Sequence, residues 1–124
     1  MKYIINESRL EDLVKKYISP KFANFKTITS DDPRYRNTIV KNFGNSDTVV
    51  GEITSPENDL VGYLMIDNDD LGDYEDPIHY LIIMDDYWST IQRMFDMPRY
   101  LIQNIFTLVG SEFLGIPISY SIES

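Results

Sequence analysis

Apolar residues are densest between Asp96 and Gly115, in DMPRYLIQNIFTLVGSEFLG. Leu101, Ile105 and Leu108 recur at helical spacing, as do Ile102, Phe106, Val109 and Phe113, so two adjacent rows merge into one broad apolar face. The pattern predicts a core helix that leaves only Arg99, Gln103, Asn104, Thr107 and Ser111 to water. Asp96 reads as its N-cap, with Pro98 in a first turn where a missing N–H costs little. Gly115 falls just past its end, and Pro117 prevents it from resuming. A helix this apolar has to be wrapped on most sides by the rest of the chain.

A second helical pattern lies near the N-terminus. In NESRLEDLVKKYISP, residues 6–20, Leu10, Leu13, Val14, Tyr17 and Ile18 form one apolar stripe. Asn6 or Ser8 would cap it, and Ser8 with Glu11 matches a capping box. Lys15 and Lys16 suit the negative end of its dipole, and Ser19-Pro20 stops it. Lys2 to Ile5 reads as a short strand or an extended lead-in.

Between the helices the pattern turns to strands. FANFKTITS (22–30), TIVKNF (38–43) and TVVGEIT (48–54) are short, partly polar candidates separated by turn signals at SDDPRY and at Gly44 to Asp47. LVGYLMID (60–67) and PIHYLIIMDD (77–86) are stronger and are apolar on both faces, where a sheet with one wet face would alternate. They must be covered on both sides within the chain, or on one side by another chain. Residues 86–95 read as a helix with Tyr87, Trp88, Ile91, Met94 and Phe95 inward, and IPISYSIES as a returning strand alternating Ile116, Ile118, Tyr120 and Ile122. The expected fold is one α+β domain over residues 1–124. It is a small antiparallel sheet of about four to six strands, packed by an N-terminal helix and a C-terminal helix pair.

Composition narrows the function classes. The chain has no cysteine and one histidine, His79, which excludes disulfides, thiolate metal sites and a histidine-rich zinc site. No apolar run is long enough to span a membrane, and MKYIINESRL lacks the apolar stretch of a signal peptide, so a cytoplasmic protein is expected. The net charge of −9 is unevenly spread. Residues 1–45 hold nine bases against five acids, whereas residues 46–124 hold Arg93 and Arg99 against fifteen acids. The acidic part would repel phosphates, which argues against nucleic acid as a partner. It suits a basic protein surface or contact between copies, and it also serves solubility alone.

The most acidic stretch is DNDDLGDYED, which joins the two strongest strands and carries Asp67, Asp69, Asp70, Asp73, Glu75 and Asp76. Asp67, Asp69 and Gly72 mimic the start of a calcium loop, but Leu71 and Ile78 fall where oxygen ligands are required. That leaves at most a weak divalent-cation site; a solvated, self-repelling loop is the simplest account, and docking on a basic surface the next. These six acids, with Leu81 and Ile83 of the following strand, are the candidate partner-binding residues. No carboxylate pair stands out as acid and base, Asp85 and Asp86 read as caps of the next helix, and no G-x-S-x-G pattern offers His79 a nucleophile. The six glycines form no phosphate cradle, so no cofactor is expected. Lys21, Phe22, Phe25, Lys26, Arg34, Tyr35 and Arg36 could face a single strand, but within an acidic whole. The nine Tyr, six Phe and one Trp are mostly core material, and any surplus on one face would mark a contact surface.

Two stretches resemble a known group. Tyr3-Ile4-Ile5-Asn6-Glu7-Ser8-Arg9-Leu10, followed by Leu13-Val14 and Tyr17-Ile18, is similar to the opening of many small proteins of environmental tailed phages. Asp86-Tyr87-Trp88, Met94-Phe95 and the apolar helix to Phe113-Leu114 resemble how those proteins end. The group has no established activity, so the resemblance carries over no catalytic residue. It implies a phage origin and a place in the virion or the host cytoplasm. The expectation is a non-enzymatic protein working through protein–protein contacts or self-association, as a small virion or assembly component. The alternative is an acidic inhibitor or nucleic-acid mimic that occupies a basic groove of a host defence or nucleic-acid enzyme.

Overall fold

A computed structural model describes residues 7–28, 48–67 and 78–124. The expected lead-in at 2–5 and strand at 38–43 lie outside the described residues, as does most of the acidic loop. Helix α1 spans Glu7–Ile18 and ends in a tighter turn over Ser19–Lys21. Strands β1 (Asn24–Thr27), β2 (Thr48–Thr54), β3 (Leu60–Asp67) and β4 (Ile78–Ile83) follow, then α2 (Asp85–Phe95), α3 (Arg99–Leu114) and β5 (Tyr120–Glu123). The described strands form a sheet in the order β1-β2-β3-β4-β5.

The α+β reading holds, with one difference of topology. The first four strands pair antiparallel, while β5 joins β4 in parallel. A parallel neighbour needs a crossover, and α2 and α3 supply it between β4 and β5. The β2–β3 connection is tight because Pro56 opens a turn that Asn58 closes at φ 67, a conformation asparagine tolerates. The Ser55 and Asn58 N–H groups donate within it, to Asp59 O at 2.8 Å and Ser55 O at 2.9 Å.

Helix α3 is the buried spine that the apolar rows predict. Leu101, Ile102, Ile105, Phe106 and Val109 are all buried, packed with Val14 and Ile18 of α1, Trp88 and Ile91 of α2, and Leu64, Leu81 and Ile83 of the sheet. Withdrawing each such side chain from water contributes about 1.5–3 kcal/mol. The helix boundaries differ from the sequence expectation. Asp96 is the left-handed C-cap of α2 at φ 44, its N–H donating to Gln92 O at 3.0 Å, and extended Pro98 is the N-cap of α3. Gly115 ends α3 at φ 69, as expected. Ser8 falls within α1, past the N-cap position, and Asn6 is outside the described residues. Met94 and Leu108, expected inward, are exposed.

The second face of the sheet is also closed. Tyr63, Met65, Tyr80 and Ile82 are 1%, 1%, 3% and 0% exposed, and form a separate apolar cluster with Ile28 and Val49 that contains no residue of a described helix. Of the two alternatives for these doubly apolar strands, cover within the chain is the one found. They therefore give no argument for a partner.

Candidate functional site

The sequence-derived contact residues fall in three places. Leu81 and Ile83 are 0% exposed, because their position on β4 turns them into the core between sheet and helices, so they are not available to a partner. Asp67 is not a loop residue. It ends β3, is largely buried, and accepts a hydrogen bond of 2.8 Å from the Tyr120 hydroxyl. Tyr120 reaches it across β4, lying flat on the Tyr80 ring with centroids 4.8 Å apart. Asp69, Asp70, Asp73, Glu75 and Asp76 lie outside the described residues. His79 helps to anchor the sheet edge, its carbonyl accepting the Ser119 N–H at 2.9 Å. Among the described residues no three His, Cys, Asp or Glu side chains gather as a metal site, and no helix is long and apolar enough to cross a membrane.

Two surfaces that the sequence pattern does not reveal stand out. The first lies along α3 and β5. Gln103, Thr107 and Ser111, expected to face water, instead form a half-buried polar seam on the side of α3 that meets β5. Gln103 donates to Ser121 O at 3.3 Å, the Thr107 and Ser121 hydroxyls lie 2.7 Å apart, and Ser111 Oγ accepts the Ile118 N–H at 3.1 Å. Outside the seam runs a stripe of Tyr100, Asn104 and Leu108, one turn apart on the helix. Tyr100 is 55% and Leu108 48% exposed, and Leu108 shares a groove of about 380 Å³ with Tyr120, itself 38% exposed. No charged residue occurs from Tyr100 to Ser111 or from Gly115 to Ile122. Arg99 closes one end of this face by pairing with Glu123 and lying over the Trp88 ring at 5.6 Å.

The second is a cleft of about 710 Å³ where parts of the chain distant in sequence converge. Among the described residues, Tyr17 and Lys21 come from α1 and its last turn, Asp59 and Leu60 from the β2–β3 connection, Met84 to Tyr87 from the β4–α2 junction, and Thr90 and Ser124 also line it. Asp85 and Asp86 sit in the first turn of α2, where the helix dipole favours negative charge. They make no side-chain cap; the Asp85 N–H donates to Ser124 Oγ at 2.9 Å. The Lys21 ammonium lies over the Tyr17 ring, 5.5 Å from its centroid. Burial raises the Tyr87 phenol above its ordinary value; a hydrogen bond to Ser55 works the other way, and the charges of Asp59 and Glu57 push it up further. No family model, curated protein or solved structure matches the chain.

Proposed function

We propose that this is a non-enzymatic phage protein that works through protein–protein contact, a small virion or assembly component built from copies of this chain. The observation that carries the proposal is the uncharged face of α3 and β5. A molecule of net charge −9 repels its own copy over most approaches. The stretch from Tyr100 to Ser111 and the stretch from Gly115 to Ile122 bring no charge to that encounter, and they expose Tyr100, Leu108 and Tyr120. Depletion of charge around aromatic and aliphatic anchors is the composition of an interface centre. The phage setting, in the particle or the host cytoplasm, is supported only by the resemblance at the two ends of the chain.

The test is a single charge on that face. Leu108→Asp is expected to convert an associating wild-type protein into a monomer, read as mass in solution. Because Leu108 is half exposed, its thermal midpoint should stay close to wild type. A wild-type protein that is already monomeric at high concentration, or a variant that associates as well as wild type, would remove the proposal.

A further inference from the structure

The large cleft has a chemistry that self-association does not use. Its lining includes two tyrosines, Tyr17 and Tyr87, and the apolar Leu60 and Met84. Among the described residues its lining holds three aspartates, Asp59, Asp85 and Asp86, against one lysine, Lys21. Among the described residues none of the three carboxylates is in an ion pair. The Lys21 ammonium already rests on the Tyr17 ring, at a distance where the ring quadrupole attracts it. A cavity of about 710 Å³ is in the size range of ligand clefts. Hard metal ions want several oxygen ligands and gain nothing from rings or a thioether. A guanidinium gains from all of these features, since it stacks flat on aromatic faces, forks onto carboxylates and lays its methylene stem on apolar surface.

We propose that this cleft binds an arginine side chain presented by a basic segment of a different protein, with Tyr17 and Tyr87 receiving the guanidinium and Asp59, Asp85 and Asp86 balancing its charge. Lys21 is then an internal competitor that the guest displaces from Tyr17. The excess of acids over residues 46–124 would steer such a segment inward, more weakly as salt rises. The inference rests on the reading of the chain as a contact protein but uses none of the residues of the α3–β5 face.

The probe is an acetylated, amidated tetra-arginine peptide, with its tetra-citrulline counterpart as the uncharged control. It is titrated into the full chain carrying Leu108→Asp, so that self-association does not enter, with amide chemical shifts as readout. Shifts should concentrate at Tyr17, Asp59 and Asp85 to Tyr87, and citrulline should produce none. Asp85→Asn with Asp86→Asn should weaken binding about five- to tenfold. Lys21→Met should tighten it about two- to fivefold, a gain that a merely structural lysine would not give. Shifts scattered over the acidic surface, an equal response to citrulline, or weaker binding by Lys21→Met would overturn the inference. Each of those results would leave the mass measurement, and the proposal of self-association, standing on its own.

Discussion

Trp88→Ala is expected to cost about 3–5 kcal/mol of stability, whereas Trp88→Phe should stay within about 1 kcal/mol of wild type. The indole is fully buried, 5.4 Å from the Phe106 ring and under the Arg99 guanidinium, where α2 meets the spine helix. Truncation to alanine removes the largest side chain of the core and opens a cavity that neighbours on three elements cannot fill. Phenylalanine also loses volume, but it removes a liability at the same time. Trp88 Nε1–H is buried and finds no hydrogen-bond partner among the described residues. An unsatisfied buried donor costs about 1–3 kcal/mol, and deleting it offsets most of the lost packing. Urea unfolding midpoints of the two variants decide this. A phenylalanine variant as damaged as the alanine one would mean that the indole N–H is satisfied after all.

Gly62→Ala is the second large effect, expected at about 3 kcal/mol, the upper part of the range for overpacking. Gly62 pairs with Ile83 in the central β3–β4 ladder. A methyl group there would overlap the carbonyl oxygen of Ile82 and press on Ile83 Cδ1 at 3.2 Å. The carbonyl belongs to the neighbouring strand, so relief requires moving backbone in the best-paired part of the sheet. Gly110→Ala provides the contrast. Its methyl would press on Leu81 Cδ1, the end of a buried side chain rather than a backbone atom, and alanine favours helix over glycine by about 1 kcal/mol, which offsets much of the cost of shifting that side chain. Near-neutral stability at Gly110 beside a marked loss at Gly62 is the expected pair of results.

Periodicity was informative where one element carries its own signal. The apolar rows of α3, the stripe of α1 and the apolar runs of β3 and β4 are local patterns, and the structure has all four elements. What failed depends on partners distant in sequence. Leu108 continues an apolar row, yet the core packs against the opposite side of α3, so it remains half exposed beside β5. Gln103, Thr107 and Ser111 look solvent-facing because nothing local reveals that β5 will lie against them. Asp96 has the composition of an N-cap, but the same short polar side chain also tolerates the left-handed cap of the preceding helix. Leu81 and Ile83 could serve a partner only if one of the two apolar faces of these strands were left uncovered by the chain, and the burial of Leu81, Ile83, Tyr63 and Ile82 shows both faces covered. The large cleft joins Tyr17, Asp59 and Tyr87, separated by some forty and thirty residues, and no spacing rule connects them. The signal that could have singled them out is weak: two tyrosines and three aspartates, each beside an element boundary.

Sedimentation equilibrium of the wild-type chain, over a range of protein concentrations at low and at high salt, decides whether copies associate through the α3–β5 face. Association through an uncharged face of a highly acidic molecule should strengthen as salt screens the repulsion between copies, giving a dimer or larger species that is most populated at high salt. A monomer at every concentration and salt, or an oligomer that dissociates as salt rises, would rule out self-association through this uncharged face.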